Sequence, residues 1–140
     1  MQKGKAERLS PLFRFFIVQV PRFFEDKSMP LRTDVTEAIA LQTKDLPWEP
    51  SPAPGVERRY LVRDETLGIA TSIVRYAPGA AFPAHSHPRG EEILVLEGTF
   101  ADEHGLYPAG TYLRNPPGSH HHPYSPDGCV IFVKLGHLTK

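Results

Sequence analysis

Apolar residues recur at every second position in short runs along most of this chain, which is the spacing of half-buried strands and not of helices. Runs at 57–63, 68–76, 93–97, 111–114 and 130–135 fit strands, and RDETLG, YAPGAAFP, EGTFADEHG, YPAG, NPPG and SPDG read as the turns between them. One short helix is expected at 33–43 (TDVTEAIALQT), opened by a capping-box-like Thr33 or Asp34. The segment WEPSPAPG at 48–55 reads as an irregular connector, because prolines at 50, 52 and 54 remove donors and hold their neighbours extended. Many short strands punctuated by glycine and proline predict an all-β sandwich or small barrel.

Composition narrows the class. The 140 residues suit one domain, and 40% hydrophobic with 23% charged residues describes a globular chain without a membrane-length apolar run. Sixteen Lys and Arg balance sixteen Asp and Glu, so no basic patch announces a nucleic-acid or anionic-membrane partner. A single cysteine, Cys129, excludes an internal disulfide framework and any Cys-x-x-Cys pair, which fits a reducing cytoplasm. Cys129 heads an apolar strand and is expected to be a buried, unreactive thiol. Residues 1–28 differ from the rest: six basic residues against three acidic, and five of the eight phenylalanines. Their apolar patch at 12–20 is too short and too charged to span a membrane, and no cleavage site follows. They read as an extension packing on the domain or a partner, or as residues upstream of a true start at Met29. The domain itself is placed at 29–140.

All seven histidines lie in the last 56 residues, which asks for a metal or acid–base explanation. In GAAFPAHSHPRGEEILVLEG (79–98), His85 and His87 are two apart. On a strand they share one face, about 6.5 to 7 Å apart, so two imidazoles can converge on one ion. Pro88, Arg89 and Gly90 break that strand, and Glu91 resumes on the next, where a carboxylate can complete a three-point set. In GTYLRNPPGSHH (110–121), a strand and a proline-glycine turn deliver another histidine, which would be the fourth ligand.

These two stretches resemble the cupin motifs. Gly79, His85-x-His87, Glu91 and Gly98 match the first motif at every fixed position, and Gly110, Pro116-x-Gly118 and His121 match the second. The asparagine often found four residues after the second-motif histidine is Ser125 here, which affects only a supporting contact. The stretch EEILVLEGTFADEHGLYPAGTYLRNPPGSHHHPYSPDGCVIFVKL is similar to the cupin domains of ChrR-type anti-sigma factors and their free-standing relatives, over about 45–136. The resemblance implies a double-stranded β-helix (jelly-roll) barrel, a metal held by His85, His87, Glu91 and His121, and a homodimer. It does not extend to the anti-sigma helical domain, for which the chain lacks the length and the cysteines.

Alternation assigns the neighbours. Ile93 and Val95 share the face of Glu91 and should line the pocket as its apolar wall, whereas Glu92 turns outward with Leu94 and Leu96. Tyr112 and Arg114 share a face and are expected at a pocket mouth, with an external salt-bridging face as the alternative. His120 and His122 point away from His121, His104 sits in the DEHG turn, and His137 is expected at the surface. Three histidines and a carboxylate leave two open positions on an octahedral ion, and suit Zn or Fe(II), with Mn or Ni as alternatives. Three functions follow: a regulatory or ligand-sensing metal cupin; a non-haem Fe(II) dioxygenase cleaving a small diketone or hydroxyaryl ketone; or a non-redox cupin binding a sugar or small acid. In each the partner is a small molecule.

Overall fold

The computed structural model describes residues 29–138, so the extension at 1–28 and its apolar patch lie outside the described residues. Among the described residues nine strands follow a single 3-10 turn at Thr43–Asp45: β1 Glu49–Pro50, β2 Val56–Asp64, β3 Ile69–Tyr76, β4 His85–His87, β5 Glu91–Asp102, β6 Gly105–Pro108, β7 Tyr112–Asn115, β8 Ser119–His121 and β9 Cys129–Leu135. The seven-stranded sheet runs β1-β2-β3-β9-β5-β6 with β7 also on β5, and β4 and β8 form a separate pair. Isolated bridges from Tyr124 to Ala81 and Ala101 tie the loops around that pair to the far end of β5. All pairings are antiparallel, and the fold is the all-β cupin roll that the motifs implied.

Three local readings are corrected. No helix forms at 33–43. Asp34 instead accepts hydrogen bonds from the Thr36 backbone N–H (2.9 Å) and its hydroxyl (2.7 Å), which closes a turn. Val35 and Ile39 are exposed, so a helix there would have no apolar face to bury. The connector at 48–55 contains strand β1, whose Pro50 is tolerated because β1 is a sheet edge. EGTFADEHG is largely strand, not turn: β5 continues to Asp102 and β6 returns beside it, leaving only Glu103 and His104 at the tip, while in YPAG the turn is confined to Ala109 and Gly110.

β5 runs through the expected break because of a bulge. Its register against β9 shifts between Val95 and Glu97, which bends the strand and reverses which residues face inward. Glu91, Ile93 and Val95 are buried before the shift, Phe100 and Asp102 after it. Gly98 closes the bend at φ +69°, and a Cβ there would collide with the Gly128 carbonyl oxygen, so only glycine fits.

The inner faces of β2, β3, β5 and β9 supply the core: Val56, Val74, Tyr76, Ile93, Val95, Phe100, Ile131 and Val133. Full burial of each such side chain stabilises the fold by about 1.5–3 kcal/mol. Phe100 is its centre, edge-on to Tyr76 (5.8 Å between rings) and stacked with Tyr107 (6.3 Å). Cys129 is buried among them, and burial raises its thiol pKa.

Candidate metal centre

β4 and β8 exist to hold three imidazoles. Their antiparallel register sets His85 opposite His121 and His87 opposite Ser119, so the histidines share one face. The second-motif turn delivers β8: Gly118, at φ +84°, donates its N–H to the His87 carbonyl at 2.8 Å. The Pro88-Arg89-Gly90 turn then brings Glu91, first residue of β5, to the same point. One ligand atom from each of His85, His87, Glu91 and His121 lies within 4.8 Å of the others. The ring centroids of the histidines are 4.6–5.0 Å apart.

Each ring is fixed from behind. His85 Nδ1 lies 2.9 Å from the Pro83 carbonyl, which can only accept, so that nitrogen carries the hydrogen. His121 Nδ1 lies 3.3 Å from Asp102 Oδ2 and His87 Nδ1 3.2 Å from Ser119 Oγ. Asp102 is itself held by Tyr107 O–H (3.0 Å) and the His104 N–H (2.9 Å). With the outer nitrogens as donors, the three Nε2 lone pairs turn inward, the tautomer that metal ligation requires. Asn115 donates to Glu91 Oε1 at 3.1 Å and aims that carboxylate at the same centre.

What converges is all acceptor. Glu91 Oε1 is 3.4 Å from His87 Nε2 and 3.6 Å from His121 Nε2, and the buried His87 Nε2 has no hydrogen-bond partner. Such a set is stable around a cation. Ligand bonds of about 2.1 Å would separate neighbouring donors by about 3 Å, close to the spacing found. The electrostatics agree. Burial and the adjacent histidines push His87 down to about 4, so its ring is neutral at physiological pH. Burial also lowers His121 against the opposing pull of Asp102, and raises Glu91 to about 7, with Asn115 and Arg58 pulling the other way.

Of the remaining site expectations, Ile93 and Val95 stand in the core on the face of Glu91. Tyr112 and Arg114 do not line the interior: they pair with Leu94 and Glu92 on the outer face, the strand partners of those positions being outward. There Tyr112 O–H donates to Glu92 (2.6 Å) and Arg114 Nε to Tyr112 Oη (3.3 Å), the external network that was the alternative. His104, His120 and His122 are exposed, while His137 is half-buried beside Thr71 and not at the open surface. Asp102 and Arg58 escaped the sequence reading. Asp102 was hidden by the bulge; Arg58 could have been found by counting in twos from Val56 along β2.

A family model described as the ChrR cupin-like domain matches residues 36–139. The chain belongs to that family. This cupin is similar in fold to solved structures at low identity. A candidate acetylacetone dioxygenase of Methylibium petroleiphilum superposes with a TM-score of 0.65 at 20% identity, over 75% of this chain and 80% of that one. The acetylacetone dioxygenase of Acinetobacter johnsonii gives 0.60 at 17%, over 71% and 72%. ChrR of Rhodobacter sphaeroides, in complex with SigE, gives 0.57 at 23%, over 67% and 51%. Among curated sequences, a germin-like protein of Arabidopsis thaliana is 54% identical over 35 residues, 24% of this chain. The cupin spans only 16% of that relative's length.

Proposed function

We propose that this cupin holds one divalent transition metal through His85, His87, Glu91 and His121 and binds a small oxygenated organic molecule beside it. The observation that carries the reading is the buried His87 Nε2, left without a hydrogen-bond partner and facing three other acceptors. A divalent ion held there supplies Lewis acidity, and iron adds redox chemistry with dioxygen. The chain supplies the rest. Its carbonyl, hydroxyl and carboxylate partners on Nδ1 fix the rings, and the apolar wall of Ile93 and Val95 keeps water from one side.

The finer reading is a non-haem Fe(II) dioxygenase acting on a diketone or hydroxyaryl ketone. A pocket of about 470 Å³, lined by Phe82, whose ring meets His85, and by Leu135, the strand partner of Glu91, supports it, because a substrate of that size needs such room. The second reading is a zinc-loaded regulatory or ligand-sensing cupin, favoured by the match to the ChrR cupin-like family. Elemental analysis, followed by anaerobic Fe(II) loading and oxygen electrode measurements with acetylacetone and 2-hydroxyacetophenone, separates them. Stoichiometric iron with substrate-dependent oxygen uptake is expected. Tight zinc without uptake would favour the sensor, and absence of any stoichiometric metal would overturn both. A homodimer paired through exposed sheet edges belongs to the same proposal.

A further inference from the structure

Of the two arginines in this pocket, only Arg63 has an ion pair among the described residues. On β2, Val56, Arg58 and Tyr60 face inward opposite Tyr76, Val74 and Ser72. A bulge between Tyr60 and Val62 then turns Arg63 inward too, opposite Ala70. The two arginines line the 470 Å³ pocket with Tyr60, Ile69, Phe82 and Leu135.

Their situations differ. Arg63, 4% exposed, lies 3.7 Å from Glu49 and over the Tyr60 ring, although its Nε has no hydrogen-bond partner. Arg58 forms no hydrogen bond or ion pair with any described residue; its guanidinium lies 5.7 Å from the centre of the Phe82 ring. The other acids of the pocket do not reach it. Asp64 accepts the Leu67 N–H at 3.1 Å, and Glu65 is exposed. A half-buried guanidinium over an aromatic ring, with five donors and no acceptor among the described residues, is poised for a planar anion.

Its position relative to the metal ligands fixes where the rest of such a ligand goes. The Phe82 ring that Arg58 covers also meets His85 edge-on at 5.3 Å, and Leu135 of the pocket wall is the strand partner of Glu91. We infer that Arg58 is the anion-recognising residue of this pocket, and that its ligand is a small organic carboxylate. The carboxylate sits on Arg58, and a second oxygen function at the other end points toward His85 and Glu91. The second contact rests on the metal reading proposed above; the first does not.

The test uses levulinate and its uncharged methyl ester as probes, titrated calorimetrically into the zinc-loaded full chain and into the metal-stripped chain. A charge-assisted hydrogen bond is worth about tenfold or more in affinity, so levulinate is expected to exceed the ester by about that factor. Arg58→Gln should abolish the preference and Arg58→Lys should keep part of it, with metal content unchanged in both. Equal affinity of the two probes, no levulinate binding to the wild type, or a preference that survives Arg58→Gln would each overturn the inference. Thermal melting checks that the variants fold. Should Arg58→Gln unfold, the Arg58 guanidinium resonance of the labelled wild type must still shift on adding levulinate, and its failure to do so would overturn the inference equally. Metal analysis of the same samples keeps the two readings apart. A chain without stoichiometric metal that retains the Arg58-dependent preference would sink the metal proposal alone.

Discussion

The interior of this cupin has two ends built from the same strands by the same alternation. At one end Phe100, Tyr76, Val95 and Ile131 close on each other as a mainly apolar core. At the other, His85, His87, His121 and Glu91 close on a point that could hold a metal ion. β5 passes through both: Glu91 opens it at the polar end, Phe100 lies in the apolar end, and Asp102 returns to support His121. Phe100 and His121 are in contact, ring centroids 6.2 Å apart, so the ends are neighbours. They nevertheless carry different burdens. Hydrophobic burial holds the fold together without specifying chemistry, whereas the histidine end contributes little apolar burial and specifies the ligand geometry.

The sharpest break between the ends is removal of two ligands. His85→Ala with His87→Ala is expected to abolish stoichiometric metal, because half the donors are gone, while the far-UV spectrum of the roll persists. Elemental analysis after dialysis measures this, and unchanged metal content would contradict the site. The converse is Phe100→Ala, expected to cost about 3–5 kcal/mol in denaturant unfolding while the molecules that fold keep one metal each. If metal affinity collapsed with no loss of stability, the separation of the two ends would be wrong.

Acidity tests the polar end more gently. Glu91, raised to about 7, must lose its proton to ligate, whereas His87, lowered to about 4, is already neutral across the neutral range. Metal affinity should therefore fall about tenfold per pH unit below 7. In the metal-free fold the sign for Glu91 is opposite to that of a paired carboxylate. The folded state keeps a proton that the unfolded chain loses above about 4.5, so this group's contribution to stability is lost as pH rises to 7. The melting-temperature gap between loaded and metal-free protein should widen from pH 5 to pH 8, and a constant gap would exclude Glu91 as a ligand. The smallest effect is expected from Asp102→Asn, which keeps the shape but weakens the hold on His121 Nδ1. A loss of about 10- to 100-fold in metal affinity with little change in unfolding midpoint is expected in a chelator competition.

The four candidate ligands could be read from the chain because their placement is local. His85 and His87 need only the two-residue period of a strand, and turns fixed by Gly90 and Gly118 bring in Glu91 and His121. The inward face of Ile93 and the outward face of Glu92 follow from the same period. What counting in twos cannot see is a bulge. The shift at Val95/Glu97 sends Asp102 inward beneath His121, and the shift at Tyr60/Val62 sends Arg63 into the pocket. Tyr112 and Arg114 were misplaced for a related reason. Their face is set by the register of β7 on β5, a long-range pairing that no local pattern encodes. The helix at 33–43 failed because a capping signal needs an apolar face to bury, and tertiary packing offers none there. The sequence by itself therefore determined an all-β fold through period and turn chemistry, and its resemblance to the cupin motifs implied the roll and the side chains that meet at one point. Only the tertiary structure decided what stands behind His121 and which second arginine enters the pocket, because those depend on where two strands slip by a single residue.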